Sequence, residues 1–296
     1  MAENILFKAL FWEKSIDTKV QCFLCPRHCL IKNGERGFCN VRENRDGKLY
    51  SLVYGYPVAL QVDPIEKKPL YEFLSGSKTF SIGTVGCNLD CCFCQNFSLS
   101  RGDPGSLSKS SGKYFPPDTI VKLAIQYNCK SIAFTYNEPT VWIEYAIDIA
   151  RLARLNNLNV VLVSNGYITE EASNVFYPLI DAANIDMKGF SEDFYSDMTH
   201  GSLKPVLDSI KYLYSLNKHI ELTNLVIPTK NDSNSMINLY LDWVEENLDK
   251  NIPLHFSAFH PMHKLKQLPR TSPHILYKIK DIAKNRGFNH IYLGNI

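Results

Sequence analysis

Eight of the nine cysteines fall into two clusters, at positions 22, 25, 29 and 39 and at 87, 91, 92 and 94, leaving Cys129 alone. A buried structural thiol behaves as a small hydrophobe and needs no neighbours of its own kind, so clustering points to metal. The N-terminus, MAENILFKALFWEK, lacks an apolar h-region ending in small residues. The expected compartment is therefore the cytoplasm, where thiols stay reduced and cysteine spacing is read as metal chemistry before disulfides. A chain of this kind is expected to wrap two metal sites.

In TFSIGTVGCNLDCCFCQN an apolar, strand-like run ends in glycine and is followed at once by Cys87-x3-Cys91-x2-Cys94. Three thiolates so spaced can hold three irons of a 4Fe-4S cube and leave the fourth iron open to a small molecule. A three-cysteine zinc site completed by a distant histidine is the alternative that spacing alone allows. Ligation through Cys92 would leave one residue before Cys94, so Cys92 reads as a packed bystander. Cys129, in a helical stretch before a strand, reads as core. The first cluster, Cys22-x2-Cys25-x3-Cys29-x9-Cys39, is a complete four-thiolate set suited to zinc or to a fully ligated Fe-S cluster. Gly34 and Gly37 supply the turns that return Cys39 to the others, and His28 reads as solvent-facing rather than as a ligand. A metal staple for a segment too short to own a core is preferred to an electron relay, because nothing in the sequence marks a route from this segment to a substrate.

Hydrophobic residues make up 45% of the 296 positions and charged residues 21%, which supports a sizeable core and excludes disorder. The 32 basic and 30 acidic residues nearly cancel, and pairs such as Lys67-Lys68 are too sparse to cover a phosphate backbone; nucleic acid is not an expected partner. No apolar run approaches the roughly 18 residues of a membrane span. Beyond the second cluster, strand-like and helix-like segments alternate as in parallel βαβ units. The strand-like runs break into TYNEPT, SNGYIT and DMKGF. Pro139 is placed to start a helix, Thr169 to cap one, and Asp186 and Lys188 to share one side of a short strand. Singly these are turns, caps and an ordinary ion pair. Recurrence after successive strands is what marks a site, because barrel active sites are built at the C-terminal ends of parallel strands. The fold expected is α/β: a partial (β/α)6 TIM-like barrel over 76–296, preceded by a metal-stapled segment over 1–75 that includes a strand pair within KLYSLVYGYPVALQV.

The pieces CFLCPRHCLIKNGERGFCNVRENRDGKLY, DPIEKKPLYEFLSGSKTFSIGTVGCNLDCCFCQN, TYNEPT, SNGYIT, DMKGF and IYLGNI occur in this order between Cys22 and Ile296. In them the chain resembles the radical S-adenosylmethionine (SAM) enzymes of the AmmeMemoRadiSam system, relatives of the pyruvate formate-lyase activating enzymes. The resemblance implies a 4Fe-4S cluster on Cys87, Cys91 and Cys94, with SAM chelating the open iron. Reductive cleavage of SAM would then give methionine and a 5'-deoxyadenosyl radical that abstracts hydrogen from the substrate. It further implies that Phe93 packs on the adenine, that Gln95 lies at the cofactor, and that Asn137-Glu138 stands where relatives carry Gly-Gly-Glu, Glu138 holding the SAM amino group. Ser164 and Asn165 would face ribose and methionine. Asp186 and Lys188 match the D-x-K motif near SAM, and His255 matches a SAM-neighbouring histidine on the last strand. Cys22, Cys25, Cys29 and Cys39 would lie outside the barrel, holding zinc or a second Fe-S cluster without touching SAM. Expected partners are an electron donor such as ferredoxin or flavodoxin and a substrate, either a glycine on a protein or a small molecule. A non-catalytic Fe-S or zinc electron-transfer or docking protein would explain the cysteines but not the polar strand ends. A SAM-consuming methyltransferase or methylthiolation enzyme would want a further substrate-side cysteine or domain.

Overall fold

The computed structural model describes residues 6–105 and 113–296. Two small three-stranded sheets come first. One is formed by β1 (Phe7–Lys8), β6 (Lys48–Ser51) and β5 (Arg42–Arg45), the other by β2 (Trp12–Lys14), β3 (Val20–Cys22) and β4 (Leu30–Ile31). The third sheet has eight strands in sequence order: β7 (Ala59–Pro64), β8 (Lys78–Gly83), β9 (Ser131–Phe134), β10 (Asn159–Ser164), β11 (Ala182–Asp186), β12 (His219–Val226), β13 (Leu254–Ala258) and β14 (Ile291–Gly294). β7 runs antiparallel to β8, and every later pair is parallel. Six helices cross between the parallel strands: α1 (Pro117–Gln126), α2 (Ile143–Leu155), α3 (Glu170–Phe176), α4 (Lys204–Ser215), α5 (Asn234–Asn247) and α6 (Pro273–Asn285). Six βα units and a closing strand make the partial barrel. Among the described residues no backbone pairing joins β14 to β7.

Local chemistry sets these boundaries. Pro117 and Pro273 open α1 and α6, where a missing N–H costs nothing. Thr169, Ser233 and Ser272 cap α3, α5 and α6 by accepting backbone N–H bonds. β9, short and buried at all four positions, belongs to a sheet covered on both faces.

Two expectations are corrected. The stretch KLYSLVYGYPVALQV does not form a strand pair: β6 joins the first small sheet, while β7 extends the barrel sheet beside β8. The boundary at 75/76 therefore cuts through one sheet, since the register pairs Ala59–Pro64 with Lys78–Gly83 across the connection 65–77. That connection, which includes a 3-10 helix at Ile65–Lys67, fills the concave side. Ile65, Leu70 and Phe73 pack on Ala133, Val161 and Ala182 of β9, β10 and β11, and Asn184 donates to the carbonyl of Pro69. Glu221 on β12 accepts the N–H groups of Tyr71 and Glu72 at 3.0 and 2.9 Å. Glu72 in turn accepts from the Tyr292 hydroxyl on β14 and faces His290 Nδ1 at 3.1 Å, so side chains of this plug bridge the open seam.

The N-terminal segment shares one core with the barrel, through Val20, Leu24, Ile31, Val41 and Leu49. Its main polar anchor is Arg42, fully buried, paired at 2.9 Å with Glu144 on α2 and also donating to the carbonyl of Leu10. Glu144 accepts the Leu10 N–H as well. Breaking a buried pair leaves an uncompensated charge at a cost of about 3–5 kcal/mol. Glu144→Ala should therefore lower the melting midpoint by roughly 10 °C, whereas Lys122→Ala, at the exposed pair with Asp118, should move it by less than about 2 °C. Equal shifts in circular dichroism melts would remove this pair as the anchor.

Candidate active site and metal centres

The loop after β8 is pinned on three sides. Asn137 accepts the Thr84 N–H at 2.9 Å and donates to the Gly86 carbonyl at 2.9 Å, fixing the base of the loop to the end of β9. Asp90 and Cys92 donate backbone N–H groups to Thr199 and Met198, on the helical turn after β11, and Lys264 N–H bonds to the Cys92 carbonyl. The thiols of Cys87, Cys91 and Cys94 fall within one another's electrostatic field. The Cys92 thiol, also in the field of Cys91, lies 3.7 Å from the Met198 sulfur. Cys129 is buried in the core just after α1.

Burial, the Glu138 carboxylate and the neighbouring thiols push Cys87 well above the ordinary thiol range. Burial likewise lifts Cys91 to about 12, against the pull of Lys188. Thiols buried like Cys87 and Cys91 become thiolates together only around a cation, and three soft ligands on one short loop suit a 4Fe-4S cube. Among the described residues, no three His, Cys, Asp or Glu side chains converge tightly enough for one ion. Ligands each reserved for its own iron of a cube have no need to converge.

Glu138 is the centre of the polar strand ends. Its Oε1 accepts from Thr140 N, Thr140 Oγ1 and Ser164 Oγ at 2.9, 2.7 and 2.8 Å, and its Oε2 accepts the Asn165 N–H at 2.9 Å. Burial raises its pKa, opposed by these four donors. Asn165 Nδ2 donates to Asn88 Oδ1 at 2.9 Å and stands 3.7 Å from Cys87 Sγ. The ends of β9 and β10 are thus bonded to the cysteine loop, and Oε2, holding the Asn165 N–H alone among these donors, keeps acceptor capacity. Tyr136 has φ +71°. That backbone costs a non-glycine residue about 1–2 kcal/mol. Its hydroxyl bond to Asp63 at 2.8 Å and the Lys68 ammonium 4.7 Å from its ring offset the strain.

On the other flank Lys188 Nζ meets Asp186 Oδ2 at 2.6 Å. Burial acts to discharge Lys188, but Asp186 and the thiols of Cys91 and Cys94 hold its pKa above the ordinary lysine value. Phe93 is buried, with its ring centroid 6.0 Å from that of Phe194, and Gln95 is exposed.

His255 is not brought to this group. It is the second residue of β13, and its Nε2 lies 2.5 Å from Glu221 Oε2, with the rings of Tyr71 and Tyr292 at 4.9 and 5.1 Å. Burial alone would raise Glu221, but bonds from His219, His255 and the backbone of Tyr71 and Glu72 hold it down at about 2. His255 therefore secures the plug through Glu221, Tyr71 and Tyr292. His255→Ala should lower the melting midpoint by roughly 5 °C, through loss of about 1–3 kcal/mol at a buried hydrogen bond. SAM affinity of the variant, by titration calorimetry, should stay within about twofold of the parent. A tenfold weaker complex would return His255 to the cofactor.

The first cysteine cluster sits against the barrel mouth. Cys22, Cys25 and Cys39 are buried and Cys29 half-buried, and all four line one pocket. Burial and the neighbouring thiols push Cys39 up to about 11, with Arg42 acting against them. Thr169, at the start of α3, donates its hydroxyl to the carbonyl of Phe23 at 2.8 Å and its N–H to that of Leu24 at 3.3 Å. These contacts, with Arg27 donating to the carbonyls of Asn88 and His200, dock the segment beside the Cys87 loop.

Among the described residues no helix is long and apolar enough to cross a membrane. The model of the Radical SAM superfamily matches residues 81–239, which span the strand ends and the cysteine loop just described. An uncharacterized protein of Methanocaldococcus jannaschii is 41% identical over 289 residues, covering 98% of this chain and 85% of that protein. A putative glycyl-radical enzyme activating enzyme of the same organism is 25% identical over 167 residues, 54% of this chain and 60% of that one. Among solved structures, a domain of pyruvate-formate lyase-activating enzyme from Bacteroides vulgatus superposes with TM-score 0.50 at 13% identity, over 56% of this chain and 99% of the domain. Streptococcus suis SuiB bound to S-adenosylmethionine superposes with TM-score 0.56 at 13% identity, over 72% of this chain and 49% of SuiB. These two likenesses speak to fold. With the cysteine loop, the partial barrel and the family match in agreement, the chain belongs to the radical SAM superfamily, whose fold implies a 4Fe-4S cluster and SAM.

Proposed function

We propose that this protein is a radical SAM enzyme of the activating-enzyme type, which uses its radical to take a hydrogen atom from a substrate C–H bond, a glycine on a partner protein being the first candidate. The putative glycyl-radical activating enzyme among its relatives supports that choice. The observation that carries the reading is the bonded path from Glu138 through Asn165 to Cys87, which aims a buried anion at the cysteine loop. When bound, the cluster and SAM supply reductive cleavage of the carbon–sulfur bond and a 5'-deoxyadenosyl radical.

The protein's own work is placement. Cys87, Cys91 and Cys94 hold the cluster, and Asn137 fixes the loop that carries them. Glu138 Oε2 is positioned to accept from the SAM ammonium. Ser164 and Asn165 hold that carboxylate in its rotamer and line the ribose and methionine side. Lys188, held by Asp186, favours the thiolate at Cys91, against the opposing field of that aspartate. Phe93 and Gln95 flank the last ligand, Phe93 offering its ring to the adenine.

Anaerobic reconstitution with iron and sulfide, then dithionite and SAM, should yield 5'-deoxyadenosine and methionine. Alanine at Cys87, Cys91 or Cys94 should abolish both products, and Cys92→Ala should leave them. Product from Cys91→Ala but none from Cys92→Ala would overturn the ligand assignment. Glu138→Gln removes a charge-assisted hydrogen bond of about 1.5–3 kcal/mol, so SAM should bind roughly ten- to a hundredfold more weakly, with iron content at the loop preserved. Unchanged SAM affinity in calorimetry would take Glu138 out of the cofactor site.

A further inference from the structure

The four N-terminal thiols surround a volume without converging on a point. Cys22, Cys25, Cys29 and Cys39 line one pocket together with Arg42 and Asn88, among others. A single zinc ion needs thiolates at about 2.3 Å, hence within about 3.8 Å of one another. Among the described residues no three potential ligands are gathered for a single ion. A 4Fe-4S cube, whose four irons occupy alternate corners and take one thiolate each, asks instead for four thiols spaced around it.

A second observation points to an anionic occupant. Arg42 lines the cavity with a side chain 2% exposed, and it lies in the field of Cys22 and Cys39. Its two terminal nitrogens are taken by Glu144 and by the carbonyl of Leu10, but Nε is buried with no acceptor. An unpaired buried donor is costly, and cluster or ligand sulfur would satisfy it.

The cavity also adjoins the SAM-cleaving loop. Asn88, which follows Cys87 in the chain, lines the cavity, while its side-chain oxygen accepts from Asn165, the residue 3.7 Å from Cys87 Sγ. Arg27 donates to the carbonyls of Asn88 and His200, tying the first cysteine loop to the second. Gly86 has φ +93°, and a Cβ there would come within 2.7 Å of the Cys39 carbonyl oxygen and of Val41 Cγ1, so the two loops touch backbone to backbone. A structural staple would need no such closeness to the Cys87 ligand. An electron relay does.

We propose that Cys22, Cys25, Cys29 and Cys39 hold a second, fully thiolate-ligated 4Fe-4S cluster, the entry point for the electron used at the Cys87 loop. One electron from a low-potential donor of the ferredoxin or flavodoxin class reduces this cluster, passes to the cluster on Cys87, Cys91 and Cys94, and enters the sulfonium of SAM. There one carbon–sulfur bond breaks to give methionine and the 5'-deoxyadenosyl radical, and both clusters return to their oxidised state. The destination of the electron rests on the function proposed above; the identity of the metal does not.

Metal analysis and electron paramagnetic resonance of the full, anaerobically reconstituted chain separate the two. The parent should carry about eight irons and no zinc. The triple variant Cys87→Ala, Cys91→Ala, Cys94→Ala leaves the N-terminal site intact and should keep about four irons, with a dithionite-reduced spectrum that SAM does not alter. The double variant Cys22→Ala, Cys25→Ala, or the milder Cys29→Ser if the double variant fails to fold, should keep a spectrum that SAM does alter. One zinc with about four irons in the parent, or a triple variant free of iron, overturns the second cluster whether or not SAM is ever cleaved. For the entry role, the ratio of 5'-deoxyadenosine formed with a flavodoxin-type donor to that formed with dithionite should fall by about tenfold or more in the N-terminal variant. An unchanged ratio overturns the relay.

Discussion

A carboxylate removed from water is stable only if donors replace its hydration, and the barrel mouth is organised around that requirement at Glu138. Its donors come from two places, the first turn after β9 and the end of β10, so the carboxylate bonds one strand end to the next. Asn165, held by this contact, carries the order onward to Asn88 and Cys87. Asn137, the residue before Glu138, fixes the other end of the same loop through Thr84 and Gly86. Two adjacent residues at one strand end therefore set both the anion and the position of the thiols, a coupling that separate loops could not guarantee to the tolerance a cofactor site needs.

The remaining parts divide by the region of the barrel they serve. The connection between β7 and β8 fills the concave side, with Glu221 satisfying its backbone and His255 packed between Tyr71 and Tyr292. The N-terminal segment covers the mouth, where Thr169 and Arg27 dock it beside the cysteine loop. Arg42 joins both themes, being the anchor to α2 and a wall of the four-thiol cavity.

The barrel, both cysteine clusters and the polar strand ends were legible in the sequence because each leaves a local pattern: thiol spacing, an apolar run ending in a turn, a proline or threonine where a helix starts. What was not legible depends on contacts between distant residues. DPIEKKPLYEFLSGSK has no period and carries exposed charges beside Ile65 and Leu70, which are buried only because the concave faces of three strands receive them. The assignment of β7 to the barrel followed from pairing with β8, which composition does not encode. His255 shows the same limit, since its face was readable while its partner, Glu221, lies 34 residues away. The docking of the first cluster against Gly86 is likewise a long-range fact, and it changes which role for that metal the geometry favours.

The unpaired seam between β14 and β7 has a mechanical meaning. In a closed barrel the radius is set by strand number and shear, and no strand can shift without breaking ladder hydrogen bonds. Here the last strand is held to the plug by Glu72 through Tyr292 and His290, groups that rotate about single bonds. Among the described residues the seam is therefore closed by side-chain bonds, while each neighbouring pair from β7 to β14 is held by a backbone ladder, so the joint at Glu72 is the softest in the wall.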